Sequence, residues 1–175
     1  MKLDKVANSG NDEFYTPEYA ITPIIKYLQD KNFQTVWCPF DTNESNFVKV
    51  LNKNGFKVIN TSLLNGQDFF SIDCPQCDCI VSNPPYSVKG DVFNRLFNIN
   101  KPFAMLVGVV GLFESDKRFS MFENNQFEIL YMNRRVAYFK SYKEQKPSLN
   151  PPFSSVYVTH NILPKQICFE KINKK

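Results

Sequence analysis

Cys79-Ile80-Val81-Ser82-Asn83-Pro84-Pro85-Tyr86 is the stretch that decides the fold. Ile80 and Val81, in a run opened by Asp78-Cys79, are short, apolar and β-branched, which suits a buried parallel strand. The strand must end at Pro84-Pro85, because two prolines lack ladder donors and hold the preceding residue extended. The stretch therefore predicts an asparagine side chain, a rigid turn and an aromatic ring at the carboxyl end of a strand. In open α/β sheets that edge is where ligands bind. The same letters also read as a strand-ending turn with Tyr86 packed locally.

Upstream of this strand, Val36-Trp37-Cys38 is a short strand ended by Pro39, and Asp41 to Ser45 is turn-like. Phe47, Val48, Val50 and Leu51 mark a helix closed by Asn54-Gly55, and Phe56-Lys57-Val58-Ile59 is a further strand. Strand, helix, glycine and strand in this order are the signature of a βαβ unit and a parallel sheet. Before it, Thr16 as N-cap, Pro17 in the first helical position and Glu18 predict a helix start. Ala20, Ile21, Ile24, Ile25 and Leu28 carry that helix to about Lys31. Downstream, Val92, Phe93, Leu96 and Phe97 fit one helical face, residues 102–110 form the most apolar strand, and Phe119, Met121 and Phe122 suggest a short helix. Residues 127–132 and 154–159 read as the last two strands. Gly66 to Phe70 is a compact segment, counted in the place of a third strand, so that Cys79 falls on the fourth.

At 175 residues the chain is long enough for one domain with a substantial core. An apolar fraction of 43% with 15% aromatics argues for a folded protein rather than disorder. No apolar run approaches the roughly 20 residues of a membrane span, and the polar start lacks the pattern of a signal peptide. The expectation is a cytoplasmic protein with no membrane partner. The net charge of +4 permits a polyanionic partner without demanding one. Five cysteines, an odd count, argue against a disulfide framework. Cys74-Pro75-Gln76-Cys77 is half of a zinc-ribbon spacing, but no second Cys-x-x-Cys or paired histidines follow, so no metal is expected. His160 is the lone histidine and is placed at the surface end of the last strand.

The motif Asn83-Pro84-Pro85-Tyr86 resembles the catalytic turn of S-adenosylmethionine-dependent methyltransferases that act on amino groups, especially N6 of adenine in DNA. The chemistry suits these residues. An exocyclic amino group is a poor nucleophile because its lone pair is delocalised into the ring. The Asn83 side-chain oxygen and the Pro84 carbonyl are two acceptors that could draw the nitrogen toward tetrahedral geometry, with Pro85 fixing their aim. Tyr86 supplies a face for an extruded base. The resemblance extends to Phe14-Tyr15-Thr16-Pro17, similar to the segment that closes over the cofactor; a helix N-terminus is a physically reasonable carboxylate site, and also simply a capped surface helix. It further covers Cys38-Pro39-Phe40-Asp41 after the first strand and Asp68-Phe69, similar to an acid–aromatic pair around the cofactor adenine. It implies a Rossmann-like α/β sandwich with a mostly parallel seven-stranded sheet and an antiparallel last strand. It also implies one methyltransferase-like domain over residues 1–175, without a separate target-recognition domain, and S-adenosylmethionine as cofactor. The nearest members in kind are small enzymes carried by bacteriophages and mobile elements, which implies action within a bacterial cell.

Two features depart from that family. Its usual Asp-Pro-Phe-x-Gly-x-Gly loop is replaced by Cys38-Pro39-Phe40-Asp41-Thr42-Asn43-Glu44-Ser45, with no glycine, so Asp41 or Glu44 would supply the acid from a shifted position. The second strand ends Ile59-Asn60-Thr61-Ser62, without the acid that usually holds ribose hydroxyls. Arg134, Arg135, Lys140, Lys143 and Lys146, interleaved with Tyr138, Phe139 and Tyr142, mix charge with aromatic faces in a pattern that suits nucleic acid, or an ordinary solvated loop. Pro151-Pro152-Phe153 is a rigid entry into the last strand that could border a base pocket. A second reading, of another class, is a fold that has lost turnover and binds nucleic acid or a protein partner such as a host defence component; a protein partner or a second copy of the chain is the other association expected. A third is methylation of protein glutamine or RNA.

Overall fold

The computed structural model describes residues 15–147 and 153–174. Among them, seven strands form one sheet: β1 (Thr35–Cys38), β2 (Lys57–Asn60), β3 (Cys79–Ser82), β4 (Phe103–Gly108), β5 (Glu128–Met132), β6 (Ser155–His160) and β7 (Ile167–Glu170). Their order is β2-β1-β3-β4-β6-β5-β7. β1 pairs in parallel with β2 and β3, and β3 with β4; β6 runs antiparallel to both β4 and β5, and β7 is parallel to β5. This is the Rossmann-like, mostly parallel sandwich expected from the sequence. The antiparallel strand is the one read as last, 154–159, but the chain adds β7 beyond it. The compact segment from Gly66 to Phe70 is turns rather than a strand, so Cys79 opens the third strand and not the fourth.

Strand alternation explains both layers. Val36, Cys38, Cys79, Val81, Ala104, Leu106 and Tyr157 face one core; Trp37, Ile80, Phe103, Met105, Val156 and Val158 face the other. Helices α1 (Glu18–Asp30) and α2 (Asn46–Lys53) cover the first face with Ile21, Ile24, Leu28, Phe47 and Leu51. Helices α3 (Lys89–Ile99) and α4 (Asp116–Glu123) cover the second with Val92, Phe93, Leu96 and Phe122. Burying both faces is what lets short, continuously apolar strands pair in parallel. No helix among the described residues is long and apolar enough to cross a membrane.

Helix α1 begins one residue later than expected. Pro17 is the N-cap in an extended conformation (φ −71°, ψ 152°) without a side-chain cap, and Thr16 lies outside the helix. A proline disfavours helical geometry in the residue before it, which frees the Thr16 side chain for other contacts. His160 is also corrected: it is 8% exposed, with Nδ1 2.6 Å from the Gln126 carbonyl and its ring stacked on Phe103.

The far end of the sheet is held by a buried carboxylate. Glu128, 2% exposed, accepts from the backbone N–H groups of Ile162 and Leu163 at 2.9 Å, from Asn161 N–H at 3.1 Å and from the Thr159 hydroxyl at 3.2 Å. It thereby satisfies the turn that redirects the chain from β6 to β7. Glu128→Ala would strand these donors, and a loss of about 3 kcal/mol in unfolding free energy is expected by urea denaturation; a loss below about 0.5 kcal/mol would show that the turn holds without it.

Candidate active site

The loops leaving the carboxyl ends of β1, β2 and β3 enclose a cleft of about 560 Å³, within the range of about 300–1,000 Å³ typical of small-molecule sites. Between β1 and β3 the chain reverses its direction of travel across the sheet, the switch point at which doubly wound sheets bind ligands. The Asn83-Pro84-Pro85-Tyr86 turn forms one wall. Phe40, Asp41, Ser45, Asp68, Phe69 and Phe70 line the opposite side, with Tyr15, Thr16, Lys140, Tyr142 and Lys143 across the top.

Asp41 sits at the base. It follows the first strand directly after Pro39-Phe40 and is 6% exposed. Its Oδ2 accepts from the Ser82 hydroxyl at 2.6 Å, its Oδ1 from the Ser45 hydroxyl, and its backbone carbonyl from Asn60 Nδ2 at 3.3 Å. Burial pushes its carboxyl up to about 6, against the pull of the two hydroxyl donors. Ser45 in turn caps α2 by accepting from Phe47 N–H at 3.2 Å. The glycine-free loop thus folds through its own side chains. Glu44, the other candidate acid, is exposed at the rim.

Thr16 connects three elements. Its hydroxyl accepts from Asn83 Nδ2 at 3.3 Å, and its carbonyl accepts from Asn46 Nδ2, at the start of α2, at 2.9 Å. The asparagine of the turn is therefore oriented by the segment before α1. Tyr86 packs edge-on against Phe153, ring centroids 5.2 Å apart. Both rings approach the end of β4 because residue 108 is glycine: a Cβ there would stand 2.8 Å from Phe153 Cδ2 and 3.3 Å from Tyr86 Cε1. Phe153 was expected to border the base pocket; it packs on the tyrosine but does not itself line the cleft, and Pro151-Pro152 lie outside the described residues.

The basic segment is more than a charged loop. Val136, Ala137, Tyr138 and Phe139 are buried, and Tyr15 and Phe139 exchange two backbone hydrogen bonds of 3.0 and 2.8 Å. This bridge lays residues 140–143 over the cleft, where Tyr142 rests on Tyr15 (centroids 4.4 Å) with its hydroxyl 3.3 Å from Ser45 Oγ. Lys140 and Lys143 line the cleft, whereas Arg134, Arg135 and Lys146 are exposed outside its lining.

The remaining expected cofactor residues divide. Tyr15, Thr16, Pro39, Phe40, Asp41, Asp68 and Phe69 line the cleft. Cys38 and Pro17 do not: Cys38 is wholly buried in the core as the last residue of β1, and Pro17 is buried as the α1 cap. Phe14 lies outside the described residues. Phe69 is only 2% exposed, packed with Trp37, Phe40 and Phe70 beneath the Arg95 guanidinium, so the half-buried Phe40 and Phe70 offer the ring faces instead. The Asp68 carboxylate accepts from Phe70 N–H and from the Ser71 hydroxyl, both at 3.0 Å, and so also closes its own turn. Sequence reasoning did not single out Ser45, Phe70, Ser82 or the exposed Leu63 and Leu64; an aromatic next to Asp68-Phe69 was the available signal for Phe70. No group of three or more metal-ligating side chains occurs among the described residues.

No protein-family model matches the sequence, and no curated protein matches it. Among solved structures, the chain is similar to a dimethyladenosine transferase from Plasmodium falciparum, with a TM-score of 0.48 and 11% identity over 83% of this chain and 62% of that one. The chain thus spans less than two thirds of that structure.

The Asp41 geometry predicts a pH dependence of stability. A buried carboxyl raised from 3.8 to about 6 favours its neutral form in the folded state, so its contribution is greatest below pH 3.8 and is lost as the pH rises through about 6. Wild type should lose about 3 kcal/mol over that window relative to Asp41→Asn, measured by denaturant unfolding at each pH; parallel profiles for the two proteins would exclude the linkage.

Proposed function

We propose that this protein transfers a methyl group from S-adenosylmethionine to the exocyclic amino group of adenine in nucleic acid, with DNA the substrate that the resemblance implies. The observation that carries this reading is the convergence of Asn83-Pro84-Pro85-Tyr86 with the Phe40–Asp68–Phe70 wall on one cleft at the switch point. The cleft residues fit an adenosine-bearing methyl donor. Phe40 and Phe70 offer ring faces, Leu63 and Leu64 offer apolar cover, and Asp68 offers a carboxylate for an adenine amino group. Lys140 and Lys143 offer charge to a carboxylate. When bound, the donor supplies an electrophilic methyl on a sulfonium centre.

The chain's own residues do the rest. Thr16 fixes the Asn83 amide, so that its oxygen and the Pro84 carbonyl accept from the substrate amino group. That withdraws the nitrogen lone pair from the ring and directs it at the methyl carbon. Direct transfer to the amino nitrogen would need no covalent enzyme intermediate, and the proton that the nitrogen gives up would pass to solvent. Tyr86, braced by Phe153, stacks on the base and excludes water from its face.

A second reading is favoured by particular contacts. Asp68 is engaged in its own turn, Asn60 stands where a ribose-binding acid would, and Tyr142 lies over the N-terminus of α2. A cleft closed in this way would bind nucleic acid or a protein partner without turnover.

The test combines two measurements. Asn83→Ala should reduce transfer of radiolabelled methyl to adenine-containing DNA or RNA by at least about a hundredfold, while titration calorimetry shows donor binding unchanged. Full activity in the variant removes Asn83 from the mechanism. Absence of donor binding by wild type at millimolar concentration selects the binding module instead.

A further inference from the structure

A second, smaller cavity of about 250 Å³ lies on the other side of Tyr86, between the start of α3 and the loop that leads into α4. Tyr86 and Val88 line both cavities, so this one stands a single wall away from the asparagine turn. Its charged lining is mostly cationic: Lys89, Lys117 and Arg118 against one carboxylate, Asp91, among Ser87, Gly90, Ser115 and Met121. Lys117 is placed 3.6 Å from Asp91 Oδ1. Among the described residues, neither Lys89 nor Arg118 takes part in an ion pair.

Their surroundings leave positive charge in excess. Lys89 is 9% exposed and donates to the Val110 carbonyl at 2.8 Å, a neutral partner for a buried ammonium. Burial and the neighbouring Arg118 guanidinium both hold its pKa below the ordinary lysine value, and Glu114 opposes them weakly. The Arg118 Nε is held toward Ser115 Oγ at 3.4 Å. Asp91 is shared with Lys117, so Lys89 and Arg118 leave an excess of positive charge at the cavity that an anion would balance. The same loop and helix expose Val110 (66%), Phe113 (36%) and Phe119 (59%), apolar surface beside the charge.

We propose that this cavity receives a phosphodiester group of the nucleic-acid strand whose adenine enters the cleft, with Lys89 and Arg118 as its charge partners and Phe119 and Val110 lying along the neighbouring nucleotides. The inference rests on the nucleic-acid reading above. The cavity is below the size of ordinary small-molecule sites, about 300 Å³ and upward, and suits a single charged group. The flanking apolar side chains match a strand with bases, and inorganic phosphate would make no use of them.

The test is fluorescence anisotropy of a labelled single-stranded, adenine-containing oligonucleotide, titrated over a range of salt with wild type, Arg118→Gln and Arg118→Lys. Arg118→Gln should weaken binding about fivefold or more and lower the salt slope by about 0.7, the value for one phosphate contact on a single strand. Arg118→Lys keeps the charge and should retain the wild-type slope. Both changes are on a half-exposed side chain, and matching thermal melts confirm that the fold persists. Wild type that binds and methylates the oligonucleotide, with Arg118→Gln equal to it in affinity and slope, overturns this contact and leaves the cleft reading intact. Inorganic phosphate that binds wild type but not Arg118→Gln by calorimetry, while the two proteins bind the oligonucleotide with equal affinity and salt slope, identifies a free-phosphate site and overturns it also. Wild type that binds no nucleic acid overturns the cleft reading and this contact together.

Discussion

The Asp41 carboxylate spans the gap between the ends of β1 and β3, taking the Ser82 hydroxyl on one oxygen and the Ser45 hydroxyl on the other. The rest of the site depends on this bond. It fixes the two strand ends whose loops form the cleft walls, and through Ser45 it sets where α2 begins. A loop without glycine cannot lay bare backbone against a ligand as a glycine-rich loop does. Here the backbone is instead shaped by side-chain hydrogen bonds, and the surface offered to a ligand is made of hydroxyls and aromatic rings.

Thr16 extends the same network to the asparagine turn. Being outside α1, it can accept from Asn83 while its carbonyl accepts from Asn46, so hydrogen bonds tie the segment before α1, the α2 terminus and the turn after β3 together. Side chains that act at a site need such supporting contacts, because a misplacement of about an ångström removes most of the benefit of orientation. Gly108 does corresponding work on the other wall by leaving room for Phe153 and Tyr86 against the sheet.

The charge distribution around the turn has two sides. Lys140 and Lys143 overhang the larger cleft, carried there by the Tyr15–Phe139 bridge; Lys89 and Arg118 flank the smaller cavity beyond Tyr86. The overall charge of +4 gives no indication of this arrangement. Under the proposed nucleic-acid reading, positive groups on both sides of the turn would hold a strand by its backbone while one base enters the cleft.

Much of the architecture was legible in the chain itself. Apolar residues at helical spacing placed α1 to α3, short β-branched runs placed β1 to β4, and Pro84-Pro85 fixed where β3 ends and what stands there. These are local properties, set by steric limits on the backbone and by which face of an element is apolar. The last strand was missed because Ile167-Cys168-Phe169-Glu170 is short and lies among Lys165, Gln166 and Lys171, with Phe169 74% exposed; only pairing with β5 makes it a strand. Residues 134–146 read as charge interleaved with aromatic faces for nucleic acid, yet Tyr138 and Phe139 are buried and, with Val136, anchor the segment instead of offering rings for stacking, because burial depends on what the segment is laid against. Tertiary structure alone decided the pairs Asp41–Ser82, Thr16–Asn83 and Ser45–Tyr142, which join residues 41, 67 and 97 positions apart. No local periodicity encodes such pairs, because strand order and chain crossing, rather than neighbours in sequence, bring their side chains within hydrogen-bond reach.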